Sequence, residues 1–289
     1  MTVPGWPVVF RGSHAVEAGL VTRGRLRGPR YRRLFPDVYC RATARPDLLL
    51  RSLAAYRLVE GRGVLSGYSA AILLGVDCAP RADTAAEVTV AGDLRSRPGL
   101  VVHRDRLLDD EITPTRGIRC TTPLRTAFDL ARRPPRDEAV VAVDGLANRN
   151  RFHPDRLLEL QARHRGHRGV ARVPDVVALA SPYAGSPMET RLRLLIISAG
   201  LPPPHVQWVV RDPANRTAYW LDLAWPDLKI GIEYEGVLHT EPRRVFRDIA
   251  RHTRLVDLGW QVYRYTKHEV YGGRARIVAE LIRARSRST

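Results

Sequence analysis

The chain contains almost no lysine. Of its 47 Lys and Arg residues, only Lys229 and Lys267 are lysine, so nearly every positive charge is a guanidinium, a planar fork suited to phosphate and carboxylate. Cysteine is scarce as well. Cys40, Cys78 and Cys120 are odd in number and far apart, which excludes a disulfide framework or zinc-type spacing and fits a reducing cytoplasm. No apolar run approaches the roughly 20 residues that cross a bilayer. The opening Met-Thr-Val-Pro-Gly-Trp-Pro lacks the basic stretch and apolar core of an export signal. A cytoplasmic protein with no membrane partner is therefore expected. Acids are in deficit too, 30 Asp and Glu against 47 basic residues, leaving a net charge of +17 and a pI near 10.8. A GC-rich coding bias explains arginine over lysine but not the uncompensated charge, so a polyanionic partner is expected, DNA first.

What is present suffices for two domains: 289 residues, 44% hydrophobic, with five tryptophans. The most informative stretch runs from Ser186 to Arg264, where acids recur at Glu189, Asp222, Glu233 and Glu235. From Tyr219 to Trp225 the chain alternates, which predicts a strand with Leu221, Leu223 and Trp225 on one face and Trp220, Asp222 and Ala224 on the other. From Lys229 to Glu235 it alternates again, setting Glu233 and Glu235 opposite Ile230, Ile232 and Tyr234. With Pro226-Asp227 as a two-residue turn, Asp222 would pair with Gly231 and Glu233 would be its diagonal neighbour, about 7–8 Å away. Two carboxylates so placed can converge on one ion.

Each acid also has a structural reading. Ser186-Pro187-Met188-Glu189 is a helix start with a serine cap, proline at the first helical position and Glu three residues on. Glu233 and Glu235 fit a solvated strand face. Asp248 and Arg251, three apart on a basic helix, fit a surface ion pair. Asp222 between leucines is harder to explain structurally, because an unpaired buried carboxylate is costly.

The set of Glu189, Asp222, Glu233-Tyr234-Glu235-Gly236, His239, Asp248 with Arg251, Gly259-Trp260 and Arg264 resembles the PD-(D/E)xK nuclease superfamily, and within it the very-short-patch-repair-like endonuclease domains. That resemblance covers roughly the last hundred residues. It implies a restriction-endonuclease-like mixed sheet flanked by helices and metal-dependent hydrolysis of DNA. Asp222, Glu233 and the carbonyl of Tyr234 would hold Mg²⁺ or Mn²⁺. It further implies catalytic roles for Glu189, Glu235, His239, Asp248 and Arg251. Glu235 stands where the superfamily carries lysine, so Arg251 or His252 would have to supply the positive charge. The helix beginning near Pro242 is expected to face inward through Phe246, Ile249, Thr253 and Val256, leaving Arg243, Arg244 and Arg247 for nucleic acid.

Upstream, His14 to Arg27 reads as one short helical segment. It leads into the basic Arg30-Tyr31-Arg32-Arg33 and a strand at Val38-Tyr39-Cys40-Arg41. Arg30, Arg32 and Arg33 suit the wing of a winged helix touching phosphates, or a basic cap packed on the next domain; no recognition helix is evident. A helix follows at Leu49–Val59, another at Tyr68–Leu74, strands at Glu87–Ala91 and Leu100–Arg104, and a helix led by Thr122-Pro123. The runs Leu-Ser-Gly-Tyr-Ser-Ala-Ala and Thr-Pro-Leu-Arg-Thr-Ala-Phe-Asp-Leu-Ala resemble the abortive-infection type IV antitoxin family. This implies a mixed α/β antitoxin-like domain and a toxin or genome-defence partner. Arg125 and Asp129 read as a structural pair. The run Arg163 to Gly169 reads as either a phosphate contact or a solvated helix connection. The expected class is α/β (α+β), with a basic segment at 1–45, an antitoxin-like region at 46–180 and a nuclease-like domain at 181–289. The reading is a metal-dependent endonuclease tethered to a DNA-binding region, the alternative a non-catalytic DNA-binding regulator or antitoxin keeping a nuclease-like fold.

Overall fold

A short strand, β1 (Val9–Arg11), leads into two small helices, α1 (Gly12–Glu17) and α2 (Arg23–Leu26). The computed structural model describes residues 8–214, 216–236 and 242–288; of residues 242–247 and 288 it describes only the backbone. Where the sequence predicts one helical segment over His14 to Arg27, the chain turns at Gly19, whose φ is 69°. Thr22 then starts a new turn by accepting the Arg25 amide at 3.3 Å. An antiparallel hairpin follows, β2 (Tyr31–Phe35) and β3 (Val38–Arg41), and β1 adds to it in the order β1-β3-β2.

The next helix, α3 (Leu48–Val59), is capped by Asp47, which accepts the Leu50 amide at 2.8 Å. Its apolar residues pack on both sides, against the small sheet and against a second one built from β4 (Gly63–Leu65), β5 (Ala86–Val90), β6 (Leu100–His103), β7 (Ile112–Thr115) and β8 (Ile118–Thr121). Helix α4 (Gly67–Leu73) lies between β4 and β5 in the chain. The strand order is β6-β5-β4-β8-β7; β4 is parallel to β8 and β5 to β6, while the β4/β5 and β7/β8 pairs are antiparallel. Phe35, Val38, Leu50, Ala54, Leu65 and Val88 share one core. Helix α5 (Pro123–Arg132) starts as its sequence dictates, with Thr122 accepting the Arg125 amide at 3.3 Å and proline at the first position. Helices α6 (Arg136–Asn150), α7 (Arg156–Arg163) and α8 (Val173–Leu179) follow.

Contacts divide the chain into two units, Met1–Ala142 with Asp155–Val177 and Val143–Pro154 with Ala178–Thr289. The second holds α9 (Pro187–Ser198), β9 (His205–Asp212), β10 (Thr217–Trp225), β11 (Ile230–Glu235), α10 (Pro242–Asp257), β12 (Gln261–Thr266), α11 (Lys267–Gly272) and α12 (Arg274–Ser288). Ser186 caps α9 through the Glu189 amide at 3.2 Å. The sheet order is β12-β11-β10-β9, with β9, β10 and β11 successively antiparallel and β12 parallel to β11. The α+β class expected from sequence is the class observed.

Three local expectations are corrected in this unit. The sequence reading contains no strand before β10; β9 pairs along its length with β10. The hairpin connection is Pro226 to Lys229, with a 3₁₀ turn over Pro226–Leu228 and Lys229 at a φ of 52°. Ala224, not Asp222, therefore pairs with Gly231. The shift is two residues, so parity survives, and continuing the register places Asp222 beside Glu233. Finally, the alternation along β10 does not hold throughout. Leu221 packs with Val210, Ala224, Leu255 and Trp260, whereas Leu223 and Trp225 pack with Leu192, Ile232 and Leu281. The face changes at Asp222. Continuing the β9/β10 register places Gln207 opposite Asp222, and Gln207 has a left-handed backbone at φ 51°. The left-handed Gln207 of β9 thus faces the point at which β10 changes face.

Candidate functional site

Asp222 has charged neighbours on two helices, Glu189 on α9 and Arg251 on α10. From α9, Glu189 accepts the Gly185 amide at 2.8 Å and the Gln207 side-chain amide at 3.0 Å, through the same oxygen. From α10, Arg251 reaches the β10/β11 pair. Asp222 accepts the Tyr234 amide at 2.8 Å through Oδ2. Burial, then the negative charge of Glu189 and, further, that of Glu233 push the Asp222 carboxyl up to about 7, against the opposing pull of the Tyr234 amide and Arg251.

Glu233, only 8% exposed, is the most heavily paired acid of the centre. Arg251 donates to both its oxygens, from Nη1 to Oε2 at 3.1 Å and from Nη2 to Oε1. Arg264, next to Glu233 across the parallel β11/β12 pair, lies 3.2 Å from Glu233 and 3.8 Å from Glu235. Arg251 also donates to the Trp220 carbonyl. Burial works against its charge, yet the hydrogen bonds and charge of Glu233, aided by Asp222 and Asp248, raise its pKa.

The structure thus gathers Glu189, Asp222, Glu233 and Arg251, with Glu235 joined to the edge of the group through Arg264. Asp248 lies exposed one turn from Arg251 on α10. His239 and the side chains of Arg243, Arg244 and Arg247 fall outside the described residues. Gln207 went unnoticed in the sequence; the run His-Val-Gln-Trp-Val-Val carries a strand signal in its valines and tryptophan, but nothing in it marks the left-handed glutamine. The pair formed by Arg254 with buried Asp212, at 3.1 and 2.8 Å, was also missed.

A divalent ion does not fit these donors as they are arranged. Both Glu233 oxygens are engaged by Arg251, and one Asp222 oxygen by a backbone amide. Among the described residues, no group of three His, Cys, Asp or Glu side chains is gathered to hold a metal ion.

In the other unit, Arg30, Arg32 and Arg33 are exposed at and before β2. Arg32 donates to the Ala42 carbonyl and Arg33 to the Phe35 carbonyl, each at 3.3 Å. No ion pair engages these three arginines among the described residues. The same unit buries a dense ionic network on α5. Arg125, 0% exposed, bonds Asp129 at 3.2 Å and also Glu111, which His164 meets from the other side. Arg132 joins Asp129 at 2.7 Å and also Asp105, and Arg133 reaches Asp105 at 2.6 Å. Against the cost of burial, Arg132 and Arg133 hold the Asp105 carboxyl down at about 2.

These features define an α+β protein that presents exposed arginines on one unit and an arginine-filled acidic centre on the other; no described helix is long and apolar enough to cross a membrane. Residues 16–178 match the AbiEi antitoxin C-terminal domain family, and the chain belongs to that family. The matched span includes β2 and the α5 network and ends before α9. Two uncharacterized proteins of Mycobacterium tuberculosis, one from strain CDC 1551 / Oshkosh and one from strain ATCC 25618 / H37Rv, are each 30% identical over 254 residues, covering 87% of this chain and 91% of the relative.

Proposed function

We propose that the chain is a non-catalytic DNA-binding regulator of the antitoxin type, acting in the cytoplasm beside a toxin or genome-defence partner. The observation that carries this reading is the exposed Arg30, Arg32 and Arg33 set, without an acidic partner among the described residues, in a unit that belongs to an antitoxin family. Guanidinium groups held on and beside a hairpin neutralise phosphates without reading bases, so they supply affinity and position. The nuclease-like unit then serves as a binding platform, its Glu233 taken up by Arg251 and Arg264 and its Glu235 standing where a nuclease of the PD-(D/E)xK type carries lysine.

The test is duplex binding by the full chain, titrated against salt, with and without a chelator. Salt-sensitive binding that the chelator leaves unchanged, and that substitution of the three arginines by glutamine weakens, is expected. Binding indifferent to those substitutions sinks the assignment of the surface.

One observation favours a second reading. Glu189, Asp222 and Glu233 are gathered by three different elements, with Asp222 held against its ordinary ionisation. A DNA endonuclease dependent on Mg²⁺ or Mn²⁺ uses such acids, and this reading requires Arg251 to leave Glu233. Incubating supercoiled, linear and single-stranded DNA with either ion decides it. Cleavage by wild type that Asp222→Ala and Glu233→Ala both abolish establishes the enzyme, and no cleavage by any of them leaves regulation.

A further inference from the structure

Among its described side chains, helix α10 meets its sheet largely through charge. The sequence predicts an inward apolar stripe containing Ile249, Thr253 and Val256, but Ile249 is 58% and Val256 53% exposed, and Thr253 is exposed too. Phe246, the fourth member of that stripe, has its side chain outside the described residues. The inward positions are instead Arg251, Arg254, Leu255 and Leu258, and among the described side chains of the helix only Leu255 is fully buried. Arg251 is forked onto Glu233, and Arg254 onto Asp212 at 3.1 and 2.8 Å. Among the described side chains of α10, two guanidinium–carboxylate pairs join buried Leu255 in holding the helix to its sheet.

One of those guanidinium groups sits in the acidic centre. We propose that Arg251 is the resident cation of that centre: by taking both oxygens of Glu233 it excludes a divalent ion, so that docking of α10 and binding of a divalent ion are mutually exclusive. Three observations converge on this. Glu233 is nearly buried and needs a positive partner. The partner it has is planar and bidentate, and leaves neither oxygen free. Glu189 accepts from Gln207, the residue opposite Asp222 in the β9/β10 register, and the positive charge of Arg251 offsets Asp222, so withdrawing the guanidinium would leave negative charge uncompensated. Arg264, at 3.2 Å from Glu233, would then be the only described basic group still on that acid.

The proposal rests on the arrangement of Glu233 and Arg251 and not on the regulator reading, and its test reads neither DNA binding nor DNA cleavage. Mn²⁺ binding to the full-length protein is measured by electron paramagnetic resonance and calorimetry for wild type, R251Q and the double variant R251Q/E233Q. Wild type is expected to show no saturable binding in the millimolar range. R251Q is expected to bind Mn²⁺ at least about tenfold more tightly, because a unit positive charge at contact distance has been removed. Its melting temperature should rise on adding Mn²⁺, and the double variant should lose both effects. Equal affinity in wild type and R251Q overturns the proposal, as does a folded R251Q that gains nothing.

Should circular dichroism show that R251Q has lost its fold, R251K decides. Lysine lacks the planar fork that makes two parallel bonds to a carboxylate, so tighter Mn²⁺ binding than wild type is expected, and binding no tighter overturns the idea. A wild type that fails to bind duplex DNA while R251Q gains Mn²⁺ would remove the regulator reading and leave this one standing.

Discussion

The backbone amide of Tyr234 donates to Oδ2 of Asp222 at 2.8 Å. This single bond ties the strand carrying Glu233 to the strand carrying Asp222 at the point where β10 changes face. It also favours the ionised carboxylate, yet burial and the charges of Glu189 and Glu233 outweigh it and push the group up to about 7 from an ordinary 3.8.

A stability profile follows from that balance. Below about pH 4 the carboxyl is protonated in both folded and unfolded chains, and its contribution to stability is fully present. Between about pH 4 and pH 7 only the unfolded chain releases the proton, so stability falls, by on the order of 2–4 kcal/mol in total. Asp222→Asn keeps an acceptor for the Tyr234 amide and removes the titration. The variant should be the more stable protein at pH 8, with the advantage vanishing near pH 4 in urea melts. Parallel profiles for the two proteins across that range would refute the assignment.

The α5 network makes a prediction of the opposite kind. Arg125 is wholly buried between Glu111 and Asp129, and truncating it takes a guanidinium from both, leaving Glu111 to His164 and Asp129 to Arg132 and Arg133. Arg125→Ala should cost about 3–5 kcal/mol, the range for breaking a buried pair from one side. Arg57→Ala, which breaks an exposed pair with Glu60 at 3.0 Å, should cost less than about 1 kcal/mol. Guanidinium melts of the two variants provide the comparison, and equal losses would mean the network is not the cooperative centre of this unit.

Gly169 is a tighter constraint than the basic run around it suggests. Its φ is 78°, and a Cβ there would lie 2.3 Å from the Arg132 carbonyl. That carbonyl belongs to the backbone of α5, where adjustment is not local. Gly169→Ala should destabilise by more than the ~1 kcal/mol typical of the backbone term alone. Gly166→Ala, with open space around the new methyl, serves as control. A Gly169 variant that melts with the control would show that the loop relaxes freely.

These contrasts show which features were legible in the sequence. The caps at Ser186 and Thr122 with their following prolines marked the starts of α9 and α5, because a cap is a local hydrogen-bond problem with a local solution. The acids of β10 and β11 could be brought together from periodicity alone, since a two-residue error in the loop preserves parity. The loop itself was not legible: it ends on a left-handed Lys229, which carries none of the glycine or asparagine signal for that conformation. The β7/β8 hairpin was missed although Gly117 marks its turn, where φ is 76°; its other turn residue, Arg116, is left-handed at 51° without such a signal. For α10 the amphipathic rule pointed to the wrong face. The rule assumes that aliphatic residues seek the core, whereas this sheet offers Glu233 and Asp212, and arginines answer them.

The exposed arginines of the first unit give a prediction that salt dependence can check. If Arg30, Arg32 and Arg33 each neutralise a phosphate, the logarithm of the duplex association constant should fall with the logarithm of salt concentration. Each contact contributes a slope of about 0.9. Replacing all three by glutamine should then make that slope shallower by roughly 2.7 and weaken binding to unrelated duplexes about equally, because phosphate contacts carry no sequence information. Fluorescence anisotropy across a salt series measures both quantities. A triple variant that keeps the wild-type slope would move the DNA surface elsewhere on the molecule. One that loses affinity for a single sequence only would mean these arginines read bases and not the backbone.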